Sequence, residues 1–315
     1  MSTAFVFPGQ GSQAVGMGRT LAEAFAPARE AFEEVDEALR QRLTRLMVEG
    51  PESELTLTEN AQPALMAVSL AVVRVIEREG GVKIADKIAF VAGHSLGEYS
   101  ALAAAGALPL GETARLLKRR GRAMQAAVPV GEGAMAALLG ADLEAAKGIA
   151  EAAAKETRAV CTPANDNAPG QVVISGAKAA VERAIALAAE RGIKRSVLLP
   201  VSAPFHCALM QPAADAMAEA LGEAALVNPA VPLVANVTAR AVVDAGTIRT
   251  LLVQQVTGLV RWRESVLFMK EQGVEKMVEI GAGKVLSGLA KRIDREIAAS
   301  SVGEPAEIEA LLKAL

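Results

Sequence analysis

Apolar positions along this chain follow two patterns. Short unbroken runs predict strands buried on both faces, and longer stretches with apolar residues every three or four positions predict helices packed on them. Thr3 to Phe7 predicts a first strand, stopped by Pro8-Gly9-Gln10-Gly11-Ser12-Gln13. Helical patterns follow over 21–39 and 63–79, the second with Thr58, Glu59 and Asn60 near its start. A second apolar run, Lys87 to Gly93, leads into His94-Ser95-Leu96-Gly97 and a helix-forming stretch from Ser100 to Ala107. Leu110 to Ala127 predicts another helix. Strand alternating with helix in this way implies a parallel sheet covered on both faces.

The texture changes after Pro129-Val130-Gly131-Glu132-Gly133. The pattern then predicts a strand over 134–139, a helix over 143–155, strands over 158–162 and 171–175 around a loop from Pro163 to Gly170, a helix over 179–191 and a strand over 194–199. That β-α-β-β-α-β order is the ferredoxin-like arrangement. Leu233–Val237 and Lys276–Glu279 return to the pattern of core strands. The expected architecture is α/β: a discontinuous, α/β-hydrolase-like large domain from 1–130 and 200–315 with a mainly parallel sheet, and a small inserted ferredoxin-like subdomain over 131–199.

Composition narrows the setting. Apolar residues make up 52% of the 315 positions but aromatics only 3%, so Ala, Leu and Val must fill the core. A net charge of −3, from 33 basic and 36 acidic side chains, gives no reason to expect nucleic acid or an anionic membrane as partner. Met1 to Phe7 lacks the charged and apolar regions of a signal peptide, and the apolar run over 63–76 is too short to span a bilayer. Cys161 and Cys207 show neither a disulfide framework nor metal-ligand spacing. A soluble, cytoplasmic protein is expected.

The chemistry begins at Gly93-His94-Ser95-Leu96-Gly97. Between a strand and a helix, G-x-S-x-G is a nucleophile elbow, with Ser95 raised on a tight turn and helix amides aimed at whatever it attacks. A serine hydroxyl needs a base. The chain has only two histidines. His94 adjoins Ser95, where side chains on a tight turn point apart, which leaves His206 in Val201-Ser202-Ala203-Pro204-Phe205-His206-Cys207. The amide of Leu96 is placed to donate to an oxyanion, and the glycine-flanked backbone of Gln10 is a candidate second donor. One of Lys118, Arg119, Arg120 and Arg122, turned inward, would bind a substrate carboxylate, and sequence alone leaves open which. A serine hydrolase would instead need an HGGG-like oxyanion loop, which the sequence lacks.

Together these segments, with Arg120-Gly121-Arg122-Ala123-Met124-Gln125 and Asn167-Ala168-Pro169-Gly170-Gln171-Val172-Val173-Ile174-Ser175-Gly176, make the chain resemble the malonyl-CoA:acyl carrier protein transacylases of bacterial fatty-acid synthesis over nearly its full length. The resemblance implies Ser95 as the acylated residue and His206 as its base. It further implies Arg120 as the partner of the malonyl carboxylate, Gln10 and Leu96 as oxyanion donors, and Gln255 as a neighbour of the histidine. Phe205 resembles the residue of malonyl-selective members, where a ring crowds an α-methyl group. Also implied are ping-pong transfer from malonyl-CoA to the phosphopantetheine of acyl carrier protein, no metal or redox cofactor, and a monomer. Lys118, Arg119, Arg122, Lys194, Arg195, Lys284 and Lys291 are candidates for a basic rim that docks the carrier.

Overall fold

Among residues 2–314, which the computed structural model describes, ten strands form two sheets. They are β1 (Ser2–Phe7), β2 (Phe90–Gly93), β3 (Gly133–Leu139), β4 (Cys161–Ala168), β5 (Gln171–Ala177), β6 (Arg195–Leu198), β7 (Leu233–Ala235), β8 (Arg240–Val242), β9 (Val274–Ile280) and β10 (Ala298–Val302). The six-stranded sheet runs β10-β9-β1-β2-β7-β8, parallel throughout except for the antiparallel β7–β8 pair. The four-stranded sheet runs β4-β5-β3-β6 with every neighbour antiparallel. Helices Leu143–Thr157 and Lys178–Glu190 connect β3 to β4 and β5 to β6.

Strand β1 shows why the parallel sheet is buried on both faces. Successive side chains alternate, so Phe5 and Phe7 enter one core while Ala4 and Val6 enter the other. The first core is built with helices Thr58–Gly80, Gly97–Ala104 and Leu110–Ala127. The second is built with Trp262, Val266, Met269, Leu286 and Leu289 from helices Trp262–Glu271 and Val285–Ile293. Parallel order then sends the C-terminal ends of β1, β2, β7 and β9 to one edge, the usual place for a site in such sheets. Phe7 pairs with Gly93, so the Pro8-Gly9-Gln10 loop leaves the sheet beside the elbow.

Three sequence expectations shift. The single helix expected over 21–39 is two, Arg19–Ala24 and Ala26–Leu39, because Phe25 is extended and Pro27 starts a new helix. The helix expected from Pro63 begins at Thr58 and carries Pro63 inside it. The strand expected over 158–162 instead runs from Cys161 to Ala168, across most of the expected loop, with register shifts between Pro163 and Asn165 and between Asp166 and Ala168. A strand can absorb proline and polar residues at such irregularities. Here it carries Asn165 and Asn167 toward the parallel sheet, and Asn165 bridges to Val260.

Candidate active site

The elbow is tight enough to dictate its glycines. A Cβ on Gly93 would lie 1.9 Å from the Gly97 carbonyl, and one on Gly97 would lie 2.2 Å from the Phe7 carbonyl oxygen. Only a residue without a side chain lets the turn pass so close to β1. Ser95 between them takes φ 54, a left-handed backbone. Asn236, just after β7, braces it from both sides. Its Oδ1 accepts from the Ser95 backbone N–H at 2.8 Å and its Nδ2 donates to the Gly93 carbonyl at 2.7 Å. The Gly97 and Glu98 amides are committed to the carbonyls of His94 and Ser95.

Ser95 and His206 are brought together across 111 residues of sequence, with Oγ 2.8 Å from Nε2. The other ring nitrogen, Nδ1, lies 2.8 Å from the Gln255 carbonyl oxygen. A carbonyl only accepts, so Nδ1 carries the proton and the Nε2 lone pair faces the serine hydroxyl. Burial, and after it the positive Arg120, pushes the His206 pKa down to about 3. The imidazole is therefore neutral at physiological pH and able to accept a proton. His94 points elsewhere, its Nε2 2.8 Å from Asn167 Oδ1.

Of the five basic residues on the helix Leu110–Ala127, Arg120 is the one that turns fully inward, only 1% exposed. Its Nη2 donates to Ser95 Oγ at 3.1 Å and to Gln255 Oε1 at 2.8 Å, while Nη1 donates to Gln62 Oε1 at 2.8 Å. Its guanidinium carbon lies 5.7 Å from the centre of the Tyr99 ring. Its neighbours pair elsewhere: Lys118 and Arg122 with Glu59, Lys118 also with Gln41 and Asn60, and Arg119 with Glu219. Glu98 lies behind the site, fully enclosed, and burial raises its pKa to about 7 despite hydrogen bonds from Gln255 and the Asn236 backbone.

These groups open onto a cavity of about 760 Å³ lined by Gln10, Ser95, Leu96, Arg120, Phe205 and His206, with Met124, Met135 and Asn165 among its walls. The volume suits a small-molecule site. The Gln10 side chain donates to Thr58 Oγ1 at 3.3 Å. Ser95, His206, Arg120, Gln10, Leu96 and Phe205 thus all fall in this cavity, and Gln255 lies directly behind it, fully buried and bonded to both Arg120 and His206, whereas none of the seven candidate docking-rim residues lines it. Sequence reasoning missed Gln62, Glu98, Asn165 and Asn236. Glu98 lies inside the elbow motif and was within reach. The other three are polar residues whose neighbours along the chain give no hint of a site.

Comparison with known proteins adds the family. The acyl transferase domain family matches residues 4–304. A malonyl CoA-acyl carrier protein transacylase of Escherichia coli K12 is 47% identical over 311 residues, covering 98% of each chain. A crystal structure of an acyl-carrier-protein S-malonyltransferase from Bartonella henselae is 57% identical and superposes with a TM-score of 0.97 over 100% of this chain and 99% of that one. A second structure, a malonyl-transacylase in complex with its type II polyketide-synthase acyl-carrier protein, is 43% identical with a TM-score of 0.96 over 100% of both chains.

Proposed function

This chain belongs to the malonyl CoA-acyl carrier protein transacylases within the acyl transferase domain family, and on that premise we propose that it moves malonyl from malonyl-CoA to the phosphopantetheine thiol of acyl carrier protein through an ester on Ser95. The observation that carries this reading is the Ser95 hydroxyl held between a neutral base, His206 Nε2 at 2.8 Å, and a buried cation, Arg120 Nη2 at 3.1 Å. A hydrolase acting on neutral esters has no use for that cation.

In the first half-reaction Ser95 Oγ attacks the thioester carbonyl and passes its proton to His206 Nε2. The developing oxyanion is held by the backbone amides of Leu96 and Gln10. The Gln255 carbonyl steadies the imidazolium through Nδ1–H, as a carboxylate does in other serine enzymes. Collapse breaks the carbon–sulfur bond, and coenzyme A leaves with the proton from His206. In the second half the carrier's thiol gives its proton to His206, and its sulfur attacks the ester. Ser95 then recovers the proton. No metal or redox group enters this balance. Arg120 pairs with the free malonyl carboxylate, Gln255 holds Arg120, and Phe205 crowds an α-methyl group.

The same reading extends to the setting. The alternating β-α-β-β-α-β order and the β4-β5-β3-β6 sheet support a ferredoxin-like subdomain over 131–199 set into an α/β-hydrolase-like domain of 1–130 and 200–315. The carrier-bound relative supports acyl carrier protein as the partner. We take the protein to be a cytoplasmic monomer; no helix among the described residues is long and apolar enough to cross a membrane. Intact-protein mass spectrometry after addition of malonyl-CoA is the test. One malonyl adduct should form on the wild type, none on Ser95→Ala, and holo-carrier should remove it. Release of free malonate with no transfer to the carrier would overturn the reading.

A further inference from the structure

One carboxylate in this site takes no part in the acyl transfer described above. Glu98 is 1% exposed, on the helix that follows the nucleophile. Burying a carboxylate is costly unless its oxygens are hydrogen-bonded. Here Oε2 accepts from Gln255 Nε2 at 2.6 Å, and the Asn236 backbone N–H also donates to the carboxylate.

The consequence is for the Gln255 amide. Its Nε2 faces three oxygens: Glu98 Oε2 at 2.6 Å, the Ser95 carbonyl at 2.9 Å and Asn236 Oδ1 at 3.4 Å. Its Oε1 faces one donor, Arg120 Nη2, at 2.8 Å. Turned end for end, the amide would set oxygen against acceptors and NH₂ against the guanidinium. An ionised carboxylate can only accept, so Glu98, the nearest of these acceptors and the only charged one, reinforces with the Ser95 carbonyl the orientation in which Gln255 receives Arg120. Gln62 holds the other guanidinium nitrogen at 2.8 Å, and the fork has one place to sit.

We infer that Glu98 is a positioning residue for malonyl selection, acting through the Gln255 amide to hold the Arg120 guanidinium where the free carboxylate of the acyl group meets it. The inference rests on the acyl-transfer reading above. A neutral acyl group makes no demand on the fork, so Glu98 matters for malonyl and little for acetyl. The titratable or charged groups acting on Glu98 are Arg120 from the helix Leu110–Ala127 and Tyr99 on its own helix, while His206 beyond Gln255 stays neutral.

The experiment measures Ser95 acylation by malonyl-CoA and by acetyl-CoA, using intact mass, in the wild type, Glu98→Gln, Arg120→Ala and the double variant. Glu98→Gln replaces an acceptor-only carboxylate with an amide that also donates, and should lower the malonyl-to-acetyl ratio of kcat/KM by about tenfold, the scale of a lost charge-assisted bond. In the Arg120→Ala background the same change should move the ratio by less than about twofold, since residues acting through one another do not add. Equal losses on both substrates, no loss, or a full loss repeated without Arg120 would each overturn the inference. Should Glu98→Gln fail to fold, Glu98→Asp decides: the shorter side chain withdraws the carboxylate from Gln255 Nε2, so the malonyl-to-acetyl ratio should fall, and an unchanged ratio or equal losses on both substrates overturns the inference. Absence of a malonyl adduct on wild-type Ser95 would count against the acyl-transfer reading instead.

Discussion

Arg120 Nη2 donates to Ser95 Oγ at 3.1 Å, so the cation proposed to hold the substrate's carboxylate also touches the nucleophile. A hydroxyl oxygen that accepts from a guanidinium is a poorer nucleophile. A carboxylate that takes up Nη2 draws that donor away from Oγ, and a neutral acyl group does not. On the proposed reading Arg120 therefore favours malonyl twice, by binding it and by restraining Ser95 toward anything else.

Arg120→Ala separates the two effects. Malonyl transfer should fall by about a hundredfold, the scale of a lost charge-assisted pair. Acetyl transfer should be retained or rise. Parallel transfer assays with the two thioesters check this, and equal losses on both would make Arg120 a structural residue only.

His206 offers a prediction in pH. Its pKa is held near 3 by burial and by Arg120, against 6.5 in the unfolded chain. Between those values the unfolded chain binds a proton that the native state refuses, so this residue subtracts stability as pH falls through that window. Glu98, raised from 4.5 to about 7, works the other way and subtracts stability as pH rises between those values. His206→Asn removes the first effect alone, and asparagine tolerates the left-handed backbone at this position, φ 59. Urea unfolding at pH 7.5 and pH 5 should show the variant gaining about 2 kcal/mol on the wild type at the lower pH. A pH-independent difference would mean that the buried histidine is not held neutral.

How much of this was legible beforehand follows from which contacts are local. The elbow was readable because strand, glycines, serine and helix lie in one segment, and the histidine because the chain has only two. The inward turn of Arg120, rather than Lys118, Arg119 or Arg122, depends on where the helix Leu110–Ala127 lies on the Thr58–Gly80 helix. No local pattern encodes that. Asn236 and Gln62 reach the site from 141 residues after Ser95 and 58 residues before Arg120. Their roles exist only once the sheet has formed. The extended path of β4 was misread for a related reason: Pro163 and the asparagines carry loop propensity, and pairing with β5 overrides it.

Gly97→Ala tests the geometry of the elbow. The added methyl would lie 2.2 Å from the Phe7 carbonyl oxygen, so β1 or the elbow must move. The expected cost is at least about 2 kcal/mol, in the range of overpacked cores. Protein that still folds should react sluggishly at Ser95 with malonyl-CoA. Denaturant midpoints and the rate of adduct formation check both parts, and a fully stable, fully reactive variant would contradict the close approach.

Phe205 is the residue proposed to crowd an α-methyl group on the acyl chain. It precedes the base, is 8% exposed, and lines the cavity with Met124 and Met135. In the proposed pose, with the acyl carboxylate on Arg120 and its carbonyl at Ser95, a ring on the wall of the same cavity would crowd the α-carbon. Phe205→Ser should open that space. A methyl-sized contact changes discrimination by about 1–3 kcal/mol, so the methylmalonyl-to-malonyl ratio of kcat/KM should rise by roughly tenfold. Phe205 is also part of the core, and a general loss of packing would slow both substrates together. Competition between the two thioesters in one reaction isolates the selectivity. An unchanged product ratio would assign Phe205 to packing alone.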